Sequence, residues 1–158
     1  LYPGVRDETE LARQAVRDVV FTMPVRWIAD RHARRAPVWR YYFDYVTVAN
    51  RPKYSNGVLH GAEIPYVLGT LDLFATTKDI ANDQDRAVAR QMSTYWFEFA
   101  RTGKPAIADG PAWPSHRPRQ DRTLVVGDTI ATQSNFMRAR LNIFLGVSRI
   151  LDRVLGRS

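Results

Sequence analysis

The sequence contains no cysteine. That excludes a disulfide framework, a thiolate-bound zinc and a cysteine nucleophile. It does not fix the compartment, because many secreted chains also lack disulfides. Lysine is nearly absent: three lysines stand beside 20 arginines. No stretch approaches the roughly 20 apolar residues that span a bilayer, and no basic start followed by an apolar run marks a signal peptide. The chain opens Leu1-Tyr2-Pro3-Gly4 without an initiator methionine, so its start reads as a cut into a longer protein. Histidines number three, which leaves few candidates for acid–base or metal chemistry.

What is present is a globular composition. At 158 residues and 45% hydrophobic content the chain has the size of one domain and the means to bury a core. Disorder, collagen and low-complexity fibres are excluded as whole-chain readings. The 23 Lys+Arg against 16 Asp+Glu leave a net charge of +7. One reading of that arginine skew is GC-rich coding sequence; the other is a phosphate-binding surface drawing on Arg31, Arg34, Arg35 and Arg40. No nucleic-acid motif supports the second reading. The aromatic residues follow core spacing rather than a stacking platform, so no nucleic-acid partner is expected.

Hydrophobic periodicity predicts a helix over 8–21, with Leu11, Ala15, Val16, Val19 and Val20 recurring at helical spacing behind the acids Asp7, Glu8 and Glu10. Pro24 interrupts or restarts that pattern into a second helix over about 24–35. Residues 38–46, VWRYYFDYV, predict a strand, and a short helix or turn follows at 62–68. The strongest helix signal is 84–101: Val88, Met92, Tyr95, Trp96 and Phe99 share a face, Asn82 or Asp83 can cap it, and Gly103 with Pro105 stops it. Residues 122–126 predict a short strand before a Gly127-Asp128 turn. A final helix over 135–156, with a possible break at Gly146, has an apolar side covering about half its circumference. Strands and helices alternate, which argues an α/β class, yet two strands are too few to close such a sheet.

Two of the three histidines read as surface residues: His32 on a polar helix face and His116 in a proline-rich loop. His60 differs. It lies in Gly57-Val58-Leu59-His60-Gly61-Ala62-Glu63-Ile64-Pro65-Tyr66, where flanking glycines let the backbone turn sharply and let other groups approach the ring. A loop histidine suits general-base work, since its unperturbed pKa lies near neutrality. Spacing alone does not separate that role from a structural one. No second histidine lies within helical or hairpin reach, so no metal is expected.

The segment GVLHGAEIPYVLG, residues 57–69, resembles the histidine motif of type-B carboxylesterases, the cholinesterase-like serine hydrolases. Further matches follow in order. Tyr95 to Pro105 resembles that family's YWxxFAxTGxP segment, and Trp113-Pro114 the WP after it. Upstream, Phe21-Thr22-Met23-Pro24 and Val38 to Phe43 resemble the helix and strand before the histidine loop. His116 departs from the tyrosine that often follows WP. The resemblance spans most of residues 1–127.

The resemblance implies an α/β-hydrolase fold, of which residues 1–158 would be the C-terminal portion of a single domain, ending in the helix 135–156. It implies ester hydrolysis without a cofactor, with His60 as the catalytic histidine of a Ser–Asp/Glu–His triad. Gly61 and Glu63 would support the site. For Glu63 two readings stand, electrostatic support or a buried carboxylate holding the loop, and the second is preferred. In this fold the triad runs Ser, acid, His along the chain, with the serine in Gly-x-Ser-x-Gly. None of Ser55, Ser93, Ser115, Ser134, Ser148 and Ser158 has that setting. The expected partner is therefore an N-terminal portion carrying the serine, the acid and the oxyanion hole, and the substrate a small-molecule ester. A non-catalytic cholinesterase-like interaction module is the alternative. The final helix is expected to pack on the hydrolase body or to pair with a second copy. The compartment stays open between secreted or periplasmic and cytoplasmic.

Overall fold

A computed structural model describes residues 2–156, which form two compact units. One is drawn from residues up to Arg40, from Ser115–Thr123 and from Gln133 onward; the other comprises Tyr41–Pro114 and Leu124–Thr132. No helix of the described residues is long and apolar enough to cross a membrane.

The first unit is helical. Helix α1 (Glu8–Arg17) starts at Asp7, whose carboxylate accepts from the Glu10 backbone N–H, with Glu8 and Glu10 at the positive end of the dipole. A π-helical turn (Asp18–Thr22) then widens the backbone ahead of α2 (Met23–His32). Pro24 near the start of α2 lacks an N–H and would crowd a regular preceding turn, which the wider turn accommodates. Helix α5 (Arg138–Val154) runs unbroken through Gly146. Nothing lies within 4 Å of where a Gly146 side chain would begin, so this glycine answers no packing need. Leu141 is fully buried, whereas Ile143, Val147, Ile150, Leu151 and Val154 are exposed.

The interior of this unit is polar where periodicity predicts apolar packing. Asp18, in the π turn, is fully buried. It accepts from Tyr2 Oη (2.9 Å) and faces Arg140 Nε at 2.9 Å. Burial and then the Asp18 bond push the Tyr2 phenol up to about 12. Asp121, also fully buried, lies between Arg26 and Arg40. Arg26 donates further to Asn142 Oδ1 at 2.7 Å. Arg40, one of the arginines on which the unsupported phosphate-binding reading drew, is thus a buried partner of Asp121. His116, read as a surface residue, is buried as well: its Nε2 lies 2.7 Å from Asp30 Oδ1, and its backbone N–H donates to the Val38 carbonyl. Buried cations need partnered anions, and these partners lie dozens of residues away in sequence.

The second unit holds the sheet, in the order β1–β2–β3: β1 (Tyr41–Phe43), β2 (Thr123–Val126) and β3 (Ile130–Gln133). Strands β1 and β2 are parallel, Tyr41 opposite Leu124 and Phe43 opposite Val126. Parallel neighbours need a long crossover, and the chain between them supplies α3 (Ile64–Val67) and α4 (Asp83–Thr102). The third strand was not expected. Ile130-Ala131-Thr132-Gln133 has a single large apolar side chain and alternates only between half-buried and exposed, so its hydrophobic signal is faint.

Helix α4 forms as its sequence predicts. Asn82 and Asp85 exchange backbone-to-side-chain bonds in a capping box, and Gly103 ends the helix at φ 73°. Val88, Met92 and Tyr95 are buried. The Tyr95 and Trp96 rings pack against Trp113 at 5.4 and 5.2 Å, and Tyr41 meets Trp96 edge-on at 5.0 Å. Phe99, placed by periodicity on the same face, is exposed.

Candidate active site

His60 follows a loop and precedes α3 by four residues. The Ala62 N–H donates to the Leu59 carbonyl at 3.1 Å, closing a four-residue turn with His60 and Gly61 at its centre. Gly61 has φ 80°, the left-handed value that the third position of a type II turn requires. The next bonds carry the turn directly into α3: Ile64 N–H to the Gly61 carbonyl, then Tyr66 and Val67 N–H to the Glu63 carbonyl. His60 is thereby held exposed at the head of an ordered segment.

The ring borders an open cleft of about 240 Å³. Tyr45, Thr47, Tyr54, Tyr66 and Phe74 also line it, and no Asp, Glu, Lys or Arg does. Burial pushes the Tyr66 phenol up to about 12, with the Asp85 charge acting in the same direction and the Thr47 hydroxyl opposing it. Burial, then the Asp85 bond, pushes Tyr45 further up. Both phenols therefore stay protonated through neutral and mildly alkaline pH.

Glu63 is half-buried, and its charge adds to burial in raising the Tyr41 phenol. The Glu63 carbonyl, rather than a hydrogen-bonded carboxylate, ties this residue to α3. His60, Gly61 and Glu63 thus lie on two overlapping turns that run into α3. His32 is exposed, and His116 belongs to the ion network of the helical unit. Among the described residues, no group of three or more His, Asp or Glu side chains is placed to hold a metal ion.

Sequence reasoning missed the polar support beneath the cleft. Asp85, which the sequence reading did not single out, is fully buried. Its Oδ1 accepts from Tyr45 Oη (2.7 Å) and from the Val48 N–H (3.0 Å), and its Oδ2 from the Asn82 N–H (2.8 Å). The one available signal was the Asn82-x-x-Asp85 spacing of a capping box.

Residues 5–144 match the Carboxylesterase family. The chain is 29% identical to the para-nitrobenzyl esterase of Bacillus subtilis over 119 residues, which are 75% of this chain and 24% of that protein. It is 32% identical to the acetylcholinesterase of Bungarus fasciatus over 149 residues, 88% of this chain and 24% of the relative. Among solved structures, a thermophilic pNB esterase matches with a TM-score of 0.73 at 26% identity, covering 83% of this chain and 26% of that one. The carboxylesterase EST55 of Geobacillus stearothermophilus at pH 6.2 gives 0.71 at 26% identity, over 91% and 29%. The chain spans about a quarter of the length of these relatives. A match running from residue 5 to residue 144 makes the chain a member of the carboxylesterase family, with part of an α/β-hydrolase fold.

Proposed function

We propose that this chain supplies the general-base histidine of a serine carboxylesterase. His60 takes the proton from a serine hydroxyl as that oxygen attacks the ester carbonyl. It then returns the proton to the departing alcohol, leaving an acyl-enzyme. In the second half it activates water against the acyl carbonyl and returns a proton to the serine. The serine, the triad acid and the oxyanion hole come from sequence N-terminal to this chain, and the substrate is a small-molecule carboxylic ester. The observation that carries this reading is His60 itself: an exposed imidazole on a Gly61-dependent turn, at the edge of an uncharged cleft, in a chain of this family.

A second feature supports an N-terminal partner. Along α1, the π turn and α2, Leu11, Val16, Val19, Val20, Phe21, Val25 and Ile28 are exposed. A face of that kind is normally covered. The outer apolar side of α5 would pack on the same hydrolase body.

The experiment uses the native protein, isolated with whatever chain accompanies it. A fluorophosphonate should label one serine on sequence outside these 158 residues, and His60→Ala should lower kcat for 4-nitrophenyl acetate by roughly 10⁴-fold while the protein stays folded. Absence of a labelled serine and of ester turnover would favour a non-catalytic interaction module. An unchanged rate in His60→Ala would remove His60 from the mechanism.

A further inference from the structure

We infer that Asp85, Tyr45, Thr47 and Tyr66 form a positioning unit that sets where His60 stands, so that these buried residues govern turnover without touching substrate. The inference rests on the role proposed for His60.

The unit starts at one carboxylate. Asp85 is fully buried, and an uncompensated buried charge is costly. Its compensation comes from three donors that belong to different pieces of backbone. The Asn82 N–H is at the start of α4; the Val48 N–H opens the 3₁₀ turn Val48–Asn50; the Tyr45 hydroxyl lies just past β1. One anion thus joins the strand end, the loop that follows and the long helix. Hydrogen bonds to an ionised acceptor are the stronger kind, so the joint is stiff.

From Tyr45 the connection reaches the histidine by packing. The Tyr45 ring meets Tyr66 edge-on, with centroids 5.6 Å apart, and Phe43 also packs against Tyr66 at 5.2 Å. The Tyr66 and Thr47 hydroxyls are 2.9 Å apart, a second tie to the same loop. Tyr45, Tyr66 and Thr47 are all buried. Tyr66 belongs to α3, whose first-turn N–H groups donate to the carbonyls of Glu63 and of Gly61, the residue next to His60. This path runs through backbone bonds and packed rings, so the unit acts on where the imidazole is carried. A general base must stand within hydrogen-bond reach of its proton, and misplacement by about 1 Å can cost on the order of 100-fold in rate.

The test compares variants that remove a hydroxyl and keep the shape. In the native protein, Tyr45→Phe retains the ring against Tyr66 and deletes the bond to Asp85. Thr47→Val deletes the bond to Tyr66, and Thr47→Ser keeps the hydroxyl. Assays with 4-nitrophenyl acetate are run well below each variant's melting temperature and normalised to folded protein by circular dichroism. The expected result is a drop of about 10-fold or more in kcat with KM little changed for Tyr45→Phe and Thr47→Val, and a near-normal kcat for Thr47→Ser. A purely structural role would lower the melting temperature and leave kcat per folded molecule intact, and that result overturns the inference.

A second measurement does not depend on catalysis. The His60 imidazole ¹H–¹³C resonance should shift or broaden in Tyr45→Phe and Thr47→Val but not in Thr47→Ser. Should the wild-type protein hydrolyse no ester, the proposed function falls, and this resonance alone decides the positioning: an unmoved signal in both deletion variants refutes it.

Discussion

Replacing Asp121 by asparagine keeps the shape of the side chain and removes its charge, at a position where little else changes. Asp121 has φ 48°, the left-handed region in which Asp and Asn are the best tolerated side chains after glycine. Backbone strain is therefore shared by the two residues and cancels. What is lost is the anion between two buried cations. Arg40 donates to Oδ1, and Arg26 Nε lies 2.9 Å from Oδ2 in a charge contact without an aligned hydrogen bond. Both arginines are 4% exposed, so water cannot take the anion's place. Burial works against the Arg40 charge, and the bond and charge of Asp121 are the two largest opposing influences.

An asparagine can accept from one arginine through its carbonyl, but its amide then points N–H groups at the other. Breaking a buried pair in this way costs about 3–5 kcal/mol. At this chain length each kcal/mol lowers the melting temperature by roughly 2–4 °C, so Asp121→Asn should melt roughly 6–20 °C lower. Adding Arg26→Met and Arg40→Met to Asp121→Asn should recover part of that loss, because the stranded cations are then gone. Calorimetric melts of the wild type, the single and the triple variant test the sequence of effects. A loss under about 1 kcal/mol for Asp121→Asn, or a triple variant less stable than the single one, would refute the claim that unpaired buried charge dominates here.

Two glycines should respond in opposite directions. Gly61→Ala meets only Ile64 Cδ1 at 3.5 Å, an ordinary contact, so its cost is that of the positive φ, about 1–2 kcal/mol in urea unfolding. Gly146→Ala, inside α5 with open space around it, should instead stabilise by about 1 kcal/mol; a loss there would mean the helix bends at that point. Alkaline titration should unfold the second unit cooperatively. Tyr66 and Tyr95 are raised from 10 to about 12 by burial, so the folded state holds their protons more tightly than the unfolded chain. The resulting stabilisation is complete below pH 10 and is lost as pH rises through about 12. Tyrosinate absorbance at 295 nm from these residues should therefore appear together with loss of the tertiary circular dichroism signal. Its appearance in a folded protein would contradict the burial argument.

The elements read correctly from sequence are those whose signals are local. The Asn82 cap, the apolar stripe from Val88 to Tyr95 and the Gly103 stop all lie within one stretch of chain, and α4 forms where they place it. The resemblance of Tyr95-Trp96 and Trp113-Pro114 to one family's motifs acquires a physical basis, since those rings pack together. Readings failed where a partner lies far off in sequence. Nothing near His116 announces Asp30, 86 positions away, and nothing near Arg40 announces Asp121, 81 positions away. The His60 turn was legible through its glycines. Its support was not, because a buried Asp85 and a solvated Asp85 look identical in a sequence.

Amphipathic periodicity has a related blind spot, visible in α1, the π turn and α2. It finds the apolar stripe and assigns it to the core. Here the side turned inward carries Asp18, Arg26 and Ala29, while Val16 and Ile28 on the stripe are 59% and 57% exposed. Helix α5 repeats the pattern, buried at Leu141 and exposed at Ile143, Val147, Ile150, Leu151 and Val154. A polar interior closed by ion pairs specifies how these helices meet but supplies little net stability, since desolvation offsets most of the Coulombic gain. The stabilising burial available to the unit therefore lies on its outer, uncovered side. Under the proposed function, that asymmetry is what an N-terminal hydrolase portion would complete, and the helical unit, more than the unit that carries His60, is the part whose stability should depend on that portion.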